Sequence, residues 1–171
     1  MMQKVLLAML LASLGGMSYA ACNTSNIIPT APNSRYQLLN NNTEVKDLQT
    51  NLIWQRCSLG QTWSGLSCTG TATTHTWQYA ISYGISASQN MSDGWRLPNI
   101  KELTSLVERA CDKPSINETI FPNTLSYYWS SSPSVYNYRA TWAVDFNGGH
   151  GFTNSNDKNV SIYMRLVRSS Q

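Results

Sequence analysis

The sequence has few charged residues. Asp, Glu, Lys and Arg make up 12% of its 171 residues, about half the usual share. Twelve basic and nine acidic residues leave a formal charge of +3, whereas nucleic-acid-binding proteins favour clustered Lys and Arg. We therefore expect no nucleic-acid partner. The aromatic content of 11% argues against disorder as well, because disordered chains are typically charge-rich and poor in aromatic residues.

Long hydrophobic runs are missing after the first twenty residues. The run Val5–Leu14 is shorter than the roughly 20 apolar residues that span a bilayer. With Lys4 before it and the small residues Ser18 and Ala20 after it, this run has the pattern of a cleaved signal peptide. We predict a signal peptide at residues 1–20, no transmembrane segment, and an exported protein in the periplasm, on the outer surface or outside the cell.

Only four cysteines are present, and their spacing lacks the close pairs of a zinc motif. We expect no metal and no cofactor. Cys57 and Cys68 bracket a short segment rich in Gly, Ser and Thr that can close on itself, which leaves Cys22 to pair with Cys111. Two disulfides are expected in an exported protein of this kind.

A lipid on Cys22 is the alternative, because this residue stands just behind the cleavage site. Lipoprotein signals usually have a Leu-like residue three positions before the cysteine, where this chain has Tyr19. Acylation would also leave an odd number of cysteines in an oxidising compartment. The disulfide is therefore the preferred interpretation.

The mature chain divides into an arm and one domain. Residues 21–35 contain two prolines and small polar residues, which predict an extended arm without regular structure. Residues 36–171 form the domain. Near its start, apolar residues alternate with polar ones on both sides of residues 49–51, which predicts a hairpin. Asn51 can supply the left-handed conformation that such a turn needs.

Two central helices are predicted. Trp77, Ala80 and Ile81 have the spacing of one helical face, and this short helix is expected to end at residues 83–84. The second helix is expected from Ile100 to Ala110. Asn99 and Glu102 form a capping box at its start. An apolar stripe along the helix directs Cys111 towards the core. Pro114 forbids extension of the helix.

Antiparallel strands are predicted to close the chain. "YYWSSSP" predicts a strand that stops at Pro133. In "RATWAVDFNGGHGF", Trp142 and Phe146 are expected on one face, followed by a turn at residues 147–148. In "VSIYMRLVRS", apolar residues alternate with a polar face that includes Arg165. The resulting order of elements predicts an α+β fold.

Several segments resemble a bacterial family, the C-terminal domains of the Legionella collagen-like adhesin. They are, in order, "VKDLQTNLIWQRC", "CSLGQTWSGLSCTG", "TWQYAIS", "DGWRLPNIKELTSLVE", "INETIFPNT", "YWSSSP", "TWAVDFNGGHGF" and "MRLVRS". They span about residues 45–169. One departure is Asn51, where the family usually has Gly. "WRLP" and "RLVR" are also similar to segments of formylglycine-generating enzymes, so the resemblance implies a C-type lectin-like scaffold.

The same resemblance bears on catalysis. Formylglycine-generating enzymes use a pair of cysteines in the C-terminal part of the domain, and this chain has none after Cys111. Related iron enzymes on this scaffold need three histidines, and only His75 and His150 exist here. We therefore expect no catalytic residues and no enzyme. An unrecognised enzyme of this scaffold stays an alternative.

Aromatic and polar residues concentrate between residues 129 and 152, a combination that suits a glycan or a protein surface. We expect a secreted or surface-exposed binding or adhesion module. Its alternative is a structural subunit of a surface assembly, which would form oligomers. Adhesins of the family bind sulfated glycans through positive charge, which is sparse here. The candidate ligand-binding residues are Trp129, Tyr136, Tyr138, Arg139, Asp145, Asn147 and His150, although strand periodicity also predicts that some rings in this segment belong to the core.

Overall fold

The computed structural model describes residues 21–91, 94–147 and 152–170. The predicted signal peptide and His150 lie outside these residues. Two α-helices and eleven strands lie within these residues: β1 (Ala21–Cys22), β2 (Tyr36–Leu39), β3 (Glu44–Asp47), β4 (Leu52–Gln55), β5 (Thr62–Trp63), β6 (Cys68–Thr69), α1 (Trp77–Met91), α2 (Ile100–Thr104), β7 (Cys111–Asp112), β8 (Tyr127–Pro133), β9 (Ala140–Asp145), β10 (Phe152–Asp157) and β11 (Val167–Ser169).

All the strands pair in antiparallel sheets. One sheet has the order β11-β4-β3-β2 and another the order β10-β9-β8, while β1 pairs with β7 and β5 with β6. This arrangement confirms the α+β class with short antiparallel sheets and two helices. Its C-type lectin-like character stays a prediction. Within the part of the chain that the structure describes, no helix is long and apolar enough to cross a bilayer.

The predicted hairpin is confirmed as the β3–β4 pair, whose register places Asp47 opposite Leu52. Asn51 has a φ of 60°, so it supplies the left-handed conformation of the turn. The predicted end of β8 is also confirmed at Pro133. These features depend on residues close together in the chain.

The prediction that the first helix ends at residues 83–84 is wrong, because α1 continues to Met91. Gly84 is the reason that the helix can continue past this point. A Cβ at Gly84 would lie 3.0 Å from the backbone nitrogen of Leu97. The missing side chain therefore lets the helix backbone pack directly against the chain that leads into α2, and this contact outweighs the low helix propensity of glycine.

The second helix begins where it was predicted. Asn99 accepts a hydrogen bond from the backbone of Glu102 at 3.0 Å, and the Glu102 carboxylate accepts one from the backbone of Asn99 at 2.8 Å. This pair confirms the capping box. Glu102 also accepts two hydrogen bonds from Arg96, each of 2.7 Å, so the chain before α2 is fixed to the first helical turn.

The predicted end of this helix at Ala110 is wrong, since α2 ends at Thr104. Val107 instead forms an antiparallel bridge with Ile116, and the Glu108 backbone N–H donates to Ser115. Cys111 is buried as expected, but it lies in β7 rather than beside a helical stripe. Pairing of residues 107–108 with residues 115–116 has replaced the last helical turns, and tertiary contacts often override a marginal helix in this way.

The N-terminal arm has more structure than the sequence predicts. Cys22 pairs with Cys111 both in the β1–β7 ladder and as a disulfide. The Glu108 carboxylate accepts hydrogen bonds from the backbone of Thr30 at 3.0 Å and Ala31 at 2.7 Å. These contacts form a clamp that joins the arm to the segment after α2. The second predicted disulfide, Cys57–Cys68, is also present.

The C-terminal segment departs most from its predicted alternation. Met164 and Leu166 are buried as expected, but Arg165 between them is only 1% exposed. Its guanidinium donates to the carbonyls of Gln55 and Arg56 and, at 2.8 Å, to the Thr124 hydroxyl. Burial lowers the pKa of Arg165. Arg165, which the sequence places on a polar face, therefore belongs to a polar network inside the core.

Candidate recognition surface

The loop between β8 and β9 exposes large side chains. Val135, Tyr136 and Tyr138 are 86%, 89% and 78% exposed. The loop backbone is nevertheless ordered, because the Ser134 hydroxyl accepts from the backbone of Tyr136 at 3.3 Å and the Asn137 carbonyl accepts from that of Ala140 at 2.9 Å. The sequence thus presents apolar surface on a loop that has its own hydrogen bonds.

Two cations lie against this loop. The Arg139 guanidinium lies 5.4 Å from the centroid of the Tyr138 ring, and its Nε donates to the Tyr138 hydroxyl at 3.0 Å. Lys158 Nζ donates to the Tyr138 carbonyl at 2.8 Å and lies 4.7 Å from the ring centroid of Trp77. We call Trp77, Tyr136, Tyr138, Arg139 and Lys158 the aromatic–cationic patch.

The structure separates the seven residues that the sequence singles out. Tyr136, Tyr138 and Arg139 lie together before β9, whereas Asn147 is exposed beyond its far end. Trp129 is fully buried, and its indole Nε1 donates to the His75 carbonyl at 2.7 Å. His150 lies outside the described residues.

Asp145 is also removed from the patch. It is 8% exposed, and its carboxylate accepts a hydrogen bond from the Asn147 backbone at 2.9 Å. The nearby negative charge of Asp145 raises the pKa of Tyr127. Asp145 therefore serves the end of the β9 strand and the turn that follows, and it does not share a surface with Tyr136 or Tyr138.

Sequence reasoning missed Trp77 and Lys158. Both lie outside the aromatic segment between residues 129 and 152. The strand register explains how Lys158 joins this segment, and the backbone N–H of Trp77 donates to the Lys158 carbonyl at 3.1 Å. Asp157 pairs with Ala140 at the end of the β9–β10 ladder, and the backbone of Lys158 donates to the Arg139 carbonyl at 2.9 Å. Only the pairing of two strands reveals that Lys158 lies beside the loop.

The carboxylates with shifted pKa values belong to structural ion pairs. Burial opposes ionisation of Asp47, but hydrogen bonds from Arg35 and Thr50 lower its pKa. The same balance applies to Glu102, whose pKa is lowered by its hydrogen bond with Arg96. Such pairs orient backbone segments and do not by themselves indicate catalysis.

The metal-ligating side chains of the described residues are also dispersed. Across residues 21–91, 94–147 and 152–170, no group of three or more His, Cys, Asp and Glu side chains could hold a metal ion. The chemistry that the patch offers is therefore aromatic contact and hydrogen bonding by cationic donors.

Comparison with known proteins gives one match. The model of the Lcl C-terminal domain family matches residues 43–168, well over half of the chain. The matched region begins after the N-terminal arm and includes both helices, the Cys57–Cys68 loop and the aromatic–cationic patch. No curated protein matches the chain, and no solved structure does.

Proposed function

Because the chain belongs to the Lcl C-terminal domain family, we propose that it is an exported, non-catalytic binding module that attaches to a glycan-bearing or protein surface. The family suggests a surface or secreted protein. Two disulfides among the described residues agree with an oxidising compartment. The aromatic–cationic patch is the part of the molecule that we assign to attachment.

The exposure of Tyr136 and Tyr138 is the observation that carries this proposal. Transfer of large aromatic rings out of water is favourable. Tyrosine, tryptophan and arginine also dominate the binding energy of many interfaces. Here two almost fully exposed tyrosines lie beside Arg139 and Lys158. A partner that covers the rings would also meet two cationic donors, which make stronger hydrogen bonds than neutral ones.

The absence of catalysis is part of the same proposal. Support comes from the dispersed metal-ligating side chains in the described residues and from carboxylates that are engaged in structural pairs. An enzyme of the formylglycine-generating scaffold would also need a cysteine pair or a histidine set that the sequence lacks. A turnover assay that succeeded with the purified chain would contradict this part of the proposal.

The double substitution Tyr136→Ala with Tyr138→Ala tests the patch. Immobilised glycans and extracellular matrix proteins serve as the surfaces, with wild-type protein in parallel. We expect the variant to lose binding by about tenfold or more, because each aromatic contact contributes about 0.5–1.5 kcal/mol beyond area burial. Leu66→Ala is the matched control, since Leu66 is 92% exposed and lies on the Cys57–Cys68 loop, which contributes no residue to the patch.

Two results would oppose the assignment. Equal binding by the double variant and the wild type would place attachment elsewhere. If wild-type protein binds no surface but forms an oligomer that the double variant cannot form, the patch instead joins subunits of a surface assembly. Light scattering of both proteins distinguishes these outcomes.

A further inference from the structure

A cleft whose lining contains none of the patch residues lies between β4, the Cys57–Cys68 loop and α1. It has a volume of about 420 Å³, within the usual range for small-molecule sites. Its walls combine aromatic rings with amide and carboxylate groups. The lining residues used below are Glu44, Gln55, Gly60, Gln61, Trp63 and Tyr83.

The aromatic walls are held in place from behind. The Arg56 guanidinium lies 3.9 Å from the centroid of the Trp63 ring. Arg56 is itself fixed by hydrogen bonds to the carbonyls of Ile120 and Thr119, at 2.8 and 2.9 Å. Tyr83 stacks on Tyr79 with ring centroids 6.0 Å apart. Trp63 and Tyr83 are therefore each supported by a neighbouring side chain.

The backbone of the cleft is equally constrained. The Cys57–Cys68 disulfide closes the loop, and Trp63 pairs with Cys68 in the β5–β6 ladder. Gly60 has a φ of +91°, and a Cβ at this position would lie 2.6 Å from the Thr71 carbonyl oxygen. Glycine is thus required where the chain at Gly60 passes close to the backbone of Thr71. A site that is ordered before binding loses less conformational entropy when a ligand enters.

The polar groups of the cleft can serve a neutral ligand. The side-chain amide of Gln55 makes no hydrogen bond with any described residue, and the Gln61 side-chain oxygen accepts from the backbone of Ser58 at 3.2 Å. Two amides therefore provide both donors and acceptors. The Gln55 amide is available without the loss of an internal hydrogen bond.

The charged groups near the cleft already have hydrogen-bond partners. Arg168 donates to the Glu44 carboxylate at 2.8 Å, and the three nitrogens of Arg56 donate to backbone carbonyls. A cation at Glu44 would have to displace Arg168, and an anion beside Glu44 would meet a group of the same sign. The Arg56 guanidinium lies against the Trp63 ring and already donates to three carbonyls. Hydroxyl groups, in contrast, can hydrogen-bond to amides and to a paired carboxylate while C–H groups contact an aromatic ring.

We propose that this cleft binds one pyranose ring of a neutral saccharide, with Trp63 and Tyr83 against its C–H groups and Gln55 against its hydroxyls. This site is independent of the proposed attachment by the aromatic–cationic patch. A protein surface could occupy the patch while the cleft remains open to a sugar. The two proposals can therefore fail separately.

The test uses the full mature chain and four probes, the methyl pyranosides of glucose, galactose, mannose and N-acetylglucosamine. The indole N–H signal of Trp63, assigned with Trp63→Phe, is followed during nuclear magnetic resonance titrations. We expect at least one probe to shift this signal saturably. Gln55→Leu keeps most of the side-chain bulk but removes the amide, so it should lower the affinity for that probe by about tenfold.

Trp63→Ala should remove the saturation-transfer signal of the same probe, whereas Tyr136→Ala with Tyr138→Ala should leave its affinity unchanged. The proposal is overturned if none of the four probes shifts the Trp63 signal. It is also overturned if binding persists unchanged in Gln55→Leu. Gln55→Leu changes only one side chain on β4. This variant therefore keeps the test decisive even if Trp63→Ala fails to fold.

Discussion

Two arginines show how differently the core and the β8–β9 loop use the same side chain. Arg165 is 1% exposed, and its guanidinium donates to two backbone carbonyls and to the Thr124 hydroxyl. Arg139 is exposed and lies against the exposed ring of Tyr138. The first arginine satisfies buried acceptors that water cannot reach, while the second keeps its hydrogen-bonding capacity on the surface.

The difference separates stability from attachment. Buried polar groups that lose their partners are costly, so changes in the framework around Arg165 and Glu108 should affect folding. Exposed residues away from such networks usually change stability little, so changes in the loop should affect binding alone. The following four predictions test this separation, from the largest expected effect on stability to the smallest.

Removal of the Cys22–Cys111 disulfide should have the largest effect. The link closes a separation of 89 residues, against 11 for Cys57–Cys68. In the chain-entropy model, its loss should cost about 4–5 kcal/mol, and loss of the shorter link about 3 kcal/mol. Urea unfolding of the two double-alanine variants measures both values. A larger loss for the shorter link would show that native contacts of that loop outweigh chain entropy.

Arg165→Leu should destabilise the domain by about 3 kcal/mol, since it leaves the carbonyls of Gln55 and Arg56 and the Thr124 hydroxyl without this donor. Arg139→Leu is the matched control and should change the free energy of unfolding by less than about 0.5 kcal/mol. Denaturant midpoints provide the comparison. Similar losses in both variants would abolish the distinction between core and loop.

Asp47→Asn should cost about 1–2 kcal/mol at neutral pH, because Arg35 then loses its ionised partner. The pKa of Asp47 is lowered in the folded state. Its ionised form therefore stabilises the fold above the unfolded-state pKa, and this contribution is lost as the pH falls through the folded-state pKa. In the variant, the free energy of unfolding should lose this part of its dependence on pH. Thermal melts of both proteins between neutral and acidic pH check the sign.

Tyr136→Ala with Tyr138→Ala should have the smallest effect on folding, less than about 0.5 kcal/mol, since both rings are already exposed to water. The same variant is expected to lose surface binding. Denaturant unfolding beside the binding assay compares the two properties directly. A large loss of stability would mean that the loop supports the fold and that its binding defect is indirect.

Features with local causes were predicted well. The β3–β4 turn at Asn51, the capping box of Asn99 and Glu102, and the end of β8 at Pro133 all follow from residues a few positions apart. The two disulfide pairings were also predicted, because one pair closes a short flexible segment and leaves a single partner for each remaining cysteine.

Features that depend on contacts made only in the folded chain were not predicted. Helix α1 continues through Gly84 because the backbone of Leu97 packs there, and α2 stops early because Val107 bridges Ile116. Likewise, Lys158 joins the patch only through the β9–β10 register. Patterns of neighbouring residues do not predict such partners, since these residues meet only when the chain is folded.

The sequence by itself determined where turns, caps and cross-links occur, because each depends on the conformational preference or chemistry of neighbouring residues. It also determined the family, through motifs spread in order along the chain. Only the tertiary structure decided that Arg165 lies in the core, that Trp129 is buried, and that Tyr138 is exposed beside Lys158. Burial depends on which distant surfaces cover a side chain, and the alternation of polar and apolar residues along one strand does not specify them.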